Sequence, residues 1–227
     1  MANAEALVAE IRNELAAVDQ EIKTHDYPAR FESGNAPIEA LVPFVASEWY
    51  IAQSDLRSFA LMTQRFGADP GRRDFFHGIY RTEDRAVTGL FRLAHRLGLE
   101  EDILRTYDLD HRAFGYAAYV AWSAQYARAG TVATAILVNF DSWGHNCGRL
   151  RDALEGHYGL SEEETMYLAS FADLEPDEER TRNMLQADLD RGLEPATVRR
   201  VARLYQGYEL DFWNAVERLA VRGSGLR

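Results

Sequence analysis

The chain has 227 residues, of which 47% are hydrophobic, and a formal net charge of −11. That size suits one large or two small domains with a substantial core, and the acidic balance, with no basic run, argues against nucleic acid as a partner. A single cysteine, Cys147, excludes an internal disulfide and fits a reducing cytoplasm.

Taken in order, residues 4–23 read as an amphipathic helix with Leu7, Ile11, Leu15 and Val18 on one stripe. Its early acids and the lack of an apolar core segment read against a signal peptide. No run of about 18 apolar residues is present, so no membrane-spanning helix is expected. The segment HDYPARFESGNAP, with Pro28, Gly34, Asn35 and Pro37, reads as a connector.

The helix over residues 37–67 carries Leu41, Phe44, Val45, Trp49, Ala52, Leu56, Phe59 and Met62 at spacings of three and four. Glu48 falls on that apolar stripe. An ionised carboxylate without partners is costly to bury, so Glu48 is either a rim acid paired with a cation such as Arg81, or a working acid. A third helix covers 72–97, with Glu83 on its inward stripe. A short helix at 100–107 precedes an aromatic helix over 111–128 that holds Tyr116, Tyr119 and Trp122. After Gly130, residues 131–158 form a helix whose first half, TVATAILVNF, is apolar nearly all round and so lies deep. Helices at 161–172, 177–191 and 195–221 complete the chain. No segment alternates with period two, so the class is all-α: a bundle of seven or eight helices in a single domain, residues 1–227 with a core of about 25–222.

Two constellations compete for chemistry. In the first, Glu48 and Glu209, on separate helices, enter an aromatic-lined interior with Tyr116, Asn139 and Trp143. Burial and like-charge proximity push carboxyl pKa values upward, so one acid protonates while the other accepts. The second is a carboxylate-rich iron or manganese site. Asp141 and His145, at i and i+4, share one helix face. Glu48 and Glu209, with His77 and Glu83, would complete it. No Glu-x-x-His pair, P-loop, G-x-G-x-x-G or C-x-x-C occurs.

PIEALVPFVASEWY, the aromatic helix with Tyr116, the deep helix running into CGRLRDAL, and above all YELDFW together resemble the TenA family. These are helical bundles of the haem oxygenase-like fold, many of which hydrolyse thiamin or its degraded aminopyrimidines. The resemblance covers residues 25–213. It places Glu48 where the family has an aspartate that holds the aminopyrimidine. Tyr116 and Tyr167 match pocket tyrosines, and Glu209 matches the acid/base glutamate. It also marks departures. Asn139 stands at the position of the catalytic cysteine, Trp143 where a tyrosine is usual, and Ile51 where a second pocket aromatic is usual. A carboxamide is no nucleophile, so covalent catalysis at that position is excluded. Cys147 lies two turns on, about 12 Å away, and does not replace it. The resemblance implies hydrolysis of a small nitrogen heterocycle without a cysteine nucleophile or cofactor, by a dimer or tetramer. Its alternatives are a PqqC-like or metal-dependent oxidase and a non-catalytic small-molecule binder.

Overall fold

The computed structural model describes residues 3–223. Within them ten α-helices and one 3₁₀ turn account for the regular structure, and no strand is present. Seven helices have twelve or more residues: α1 (Ala4–Lys23), α3 (Val42–Arg65), α4 (Pro70–Arg96), α6 (Gly115–Tyr126), α7 (Ala129–Tyr158), α9 (Glu178–Leu189) and α10 (Pro195–Val221). The short ones are α2 (Asp26–Glu32), α5 (Glu101–Thr106) and α8 (Met166–Ala172). None of the helices is long and apolar enough to cross a membrane.

Local chemistry sets most boundaries. The side chains of Asn3, Asp69 and Asp177 accept hydrogen bonds from the amides of Ala6, Arg72 and Arg180, closing the N-termini of α1, α4 and α9. Pro70 and Pro195 occupy the first position of α4 and α10, where their missing N–H is no loss. Gly159, at φ +65°, ends α7 in the left-handed conformation that glycine adopts without strain.

Two segments differ from the sequence reading. The presumed connector holds α2, because Pro28 sits in the first turn, where a proline is tolerated. His25 Nδ1 caps it by accepting from the Tyr27 amide at 3.1 Å, and Tyr27 and Phe31 are fully buried. Gly130 does not separate helices but belongs to the first turn of α7. Its amide donates to Asp188 Oδ2 of α9 at 2.8 Å, and a Cβ there would lie 2.7 Å from Leu185 Cα. A second close approach joins α4 to α8, where a Cβ on Gly89 would lie 2.5 Å from the Tyr167 amide nitrogen.

Helix α7 runs through the middle of the bundle, packed by α1, α2, α8, α9 and α10, while α3 lies against α4 and α6. This explains why its first half is apolar all round. Buried side chains form two clusters. One gathers Tyr27, Phe31, Phe44, Trp213 and Leu150, with Trp143 packed against it; the other gathers Ile11, Phe76, Val132, Val198 and Tyr205. Residues from both wall a cavity between α3, α4, α6, α7, α8, α9 and α10.

Candidate active site

The cavity has a volume of about 280 Å³. Glu48 and Ile51 enter from α3, Tyr116 from α6, Asn139 and Trp143 from α7, Tyr167 from α8 and Glu209 from α10. The structure thus brings the five residues of the first constellation, and Ile51 and Tyr167 from the resemblance, to one space. Its volume suits a compact ligand at the lower end of small-molecule pockets.

Glu48 is only 2% exposed. Its partner is not Arg81 but Tyr167, whose hydroxyl donates to Oε2 at 2.5 Å. Burial pushes the Glu48 carboxyl up to about 8; the tyrosine hydrogen bond opposes this, and the charges of Glu83 and Glu209 add to it. Glu209, on α10, is 3% exposed. Three donors hold it: Asn139 Nδ2 and Ser142 Oγ (3.1 Å) on Oε2, and Trp213 Nε1 on Oε1 at 3.1 Å. These donors favour the carboxylate, yet burial outweighs them and lifts Glu209 to about 8 as well. Asn139 Nδ2 also donates to Gln206 Oε1 at 2.8 Å. Its amide therefore faces Glu209 and Gln206 and holds the acid in place.

The aromatic wall is built from two groups of packed rings. Trp143 lies nearly parallel to Phe44, with centroids 6.3 Å apart and planes at 15°. It meets Phe171 and Phe212 edge-on at 5.9 and 5.8 Å. Tyr116 sets its edge against Tyr205 at 5.3 Å, and burial raises the Tyr116 and Tyr167 phenols well above their ordinary value. Flat faces with a few convergent polar groups suit a heterocycle.

Two further acids line the same cavity. Glu83 of α4 was on the predicted inward stripe, and burial pushes it up to about 7. Asp55 of α3 was missed. The stripe was drawn through Leu56, but Asp55 is the buried neighbour at 5% exposure and Leu56 is half-buried. Burial, then the charges of Glu83 and Glu48, raise the Asp55 carboxyl well above its ordinary value. The available signal was its place two helical turns after Glu48.

The metal constellation is not assembled. Asp141 lies about 200° round α7 from Asn139, at 100° per residue, and so points away from the cavity. It pairs with Arg12 at 3.3 Å on the outer side of the bundle. His145 lies in a surface groove with Glu32 and Arg149. His77 is exposed on α4, stacked over Tyr80 at 6.2 Å. Only Glu48, Glu83 and Glu209 of the proposed ligands meet the cavity, and among the described residues no group of three or more His, Cys, Asp and Glu side chains is placed to hold a metal ion. No histidine or cysteine lines the cavity, so the common axial ligands for a haem iron are missing too. Cys147 is fully buried in the aromatic core and lies off the cavity wall, its thiol pushed well up by burial.

An all-helical bundle closed around an acid- and aromatic-lined cavity is the haem oxygenase-like fold, and this chain has it. Solved structures of that fold superpose over nearly its whole length. A TenA homologue from Pseudomonas syringae pv. tomato matches with a TM-score of 0.79 at 11% identity, covering 94% of this chain and 93% of its own. A TenA homologue from P. horikoshii OT3 matches with a TM-score of 0.73 at 17% identity, covering 93% and 98%. A haem oxygenase-like domain of unknown function from Shewanella denitrificans matches with a TM-score of 0.70 at 13% identity, covering 96% and 97%. No family model matches the sequence, and no curated protein does.

Proposed function

We propose that the chain is a TenA-like hydrolase acting on a small amine-bearing nitrogen heterocycle, without a cysteine nucleophile. The observation that carries this reading is the placement of Glu48 and Glu209. They are buried on two different helices lining one aromatic-lined cavity, each pushed up to about 8. A carboxyl group with a pKa close to the working pH both gives and takes protons readily.

In this mechanism the ring stacks against Trp143 and Tyr116. Protonated Glu48 donates its O–H to a ring nitrogen while its carbonyl oxygen accepts from the neighbouring amino group, the geometry being fixed from behind by Tyr167. Glu209 in its carboxylate form takes a proton from water as the water oxygen bonds to the carbon bearing the leaving nitrogen. The carbon–nitrogen bond then breaks, and Glu209 returns the proton to the departing amine. Asn139, Ser142 and Trp213 hold Glu209 during both transfers. Asn139 stands where the resembled family has its cysteine, and here it serves as a positioning residue. A cytoplasmic location, on the single cysteine, and assembly into dimers or tetramers, on the resemblance, belong to the same reading.

The test is a panel of aminopyrimidines bearing formylamino or aminomethyl groups, followed by ammonia or formate release. Glu209→Gln is expected to lower kcat by about a hundredfold or more while leaving binding within about threefold. A panel that binds with Glu209-independent affinity and no turnover would instead define a binding protein. Turnover that consumes oxygen would define an oxidase.

A further inference from the structure

Among the side chains lining the cavity, Glu48, Asp55, Glu83 and Glu209 are acids of the interior wall. The one basic lining residue is Arg180. Arg180 sits exposed at the rim and is engaged by Asp177 at 3.3 Å, so it neutralises none of them. Glu48 is answered by Tyr167, and Glu209 by Asn139, Ser142 and Trp213. Asp55 is different: 95% of its surface is buried (5% exposed), and its Oδ1 has no hydrogen-bond partner. A polar atom left so inside a fold costs stability that a leucine at the same place would not.

Asp55 lies two turns along α3 from Glu48, a rise of about 10 Å. Glu83 lines the same cavity from α4, and its charge disfavours ionisation of Asp55. Between Glu48 and Asp55 helix α3 presents the apolar Ile51 to the cavity, and Phe59 of α3 and Ile79 of α4 add apolar wall to the same space. Acids spaced along one wall with apolar side chains among them complement a chain of methylenes carrying cationic nitrogens. A metal ion is a poorer occupant. It needs several convergent oxygens, and no such group is placed among the described residues.

We propose that Asp55 and Glu83 form a second subsite of the cavity, one that takes the ammonium group of an aliphatic amine arm reaching back towards Glu48. It rests on the reading of the cavity as a small-molecule site, and is independent of whether that site hydrolyses anything. An ammonium beside the two carboxylates supplies donors to the Asp55 carboxylate and neutralises the charge that burial otherwise disfavours.

The experiment is calorimetric titration of the full chain with cadaverine and spermidine, and with the bare aminopyrimidine ring as the probe of the Glu48 end. The wild type is expected to bind at least one polyamine. Asp55→Asn and Glu83→Gln are each expected to weaken it by about tenfold or more, while binding of the bare ring by Asp55→Asn stays within about twofold. Asp55→Asn is also expected to melt at or above the wild-type temperature, which separates lost binding from lost folding. Polyamine binding that survives both substitutions unchanged, or no polyamine binding by folded wild type, would overturn the subsite. Heat from magnesium chloride abolished by the same substitutions would reassign the pair to a metal ion and overturn it equally. Polyamine binding without ring binding would leave the subsite standing and remove the heterocycle reading instead.

Discussion

Asn139 donates the same amide nitrogen to Glu209 Oε2 and to Gln206 Oε1, tying α7 to α10 through one buried side chain. Asn139→Leu keeps the volume and deletes both bonds. Loss of donors to a buried acid costs about 1–3 kcal/mol, read as a lower urea midpoint with an unchanged slope. The Glu209 carboxyl should also rise further, because a donor that favoured its charged form is gone. In turnover, kcat should fall more than KM rises. Equal changes in both would make Asn139 a substrate ligand rather than a support for the acid.

Stability should fall with rising pH across the neutral range. Glu48 and Glu209 are raised from 4.5 to about 8 in the folded chain. Between those values the folded state holds protons that the unfolded state has released. Their contribution is fully present below the unfolded value and lost as pH rises through about 8. Urea midpoints measured from about pH 5 to about pH 8.5 should therefore drop less in Glu48→Gln and Glu209→Gln than in wild type. Parallel slopes in all three proteins would show that neither acid is buried as described.

Tyr167→Phe removes one hydroxyl, the one directed at Glu48. Glu48 should then hold its proton to still higher pH, since that hydrogen bond favours its carboxylate. Affinity for an aminopyrimidine should fall about three- to tenfold, as the carboxyl loses its fixed orientation. Titration of the variant against the ring at several pH values measures both effects together.

Asp141 and His145 stand outside the cavity, on the outer side of α7. Asp141→Ala removes a half-exposed ion pair with Arg12 and should cost no more than about 1 kcal/mol. Both Asp141→Ala and His145→Ala should leave turnover within about twofold. A hundredfold loss in either would return the second constellation to contention.

What could be seen in the sequence follows from what periodicity encodes. Glu48 and Glu209 were legible because acids on an apolar helical stripe are conspicuous, and the stripe alone turns them inward. Asp55 was not, because the stripe can be drawn one residue out of phase without losing its hydrophobic count. Only the neighbouring α4 decides that Asp55, and not Leu56, faces in. Asp141 and His145 failed for the complementary reason. Spacing of four puts two residues on one face but says nothing of which face the other helices cover. The helix α2 was hidden because Pro28 reads as a breaker unless its position in the first turn is known. Asn139 was placed correctly, but its role as a clamp on Glu209 depends on Gln206, whose neighbourhood is set by the packing of α7 on α10.

The two glycine contacts have a consequence for the cavity wall. Gly89 seats α8 against α4, and Gly130 seats α9 against α7, each at a spacing that admits no Cβ. Residues 174–177, which edge the cavity beside Asp74 and Arg180, bridge those two anchored helices. Both ends of that link are thus held by close backbone contacts while its middle lines the cavity. A Cβ at Gly89 or Gly130 would therefore displace one end of the five-residue link 173–177 and, with it, part of the cavity wall.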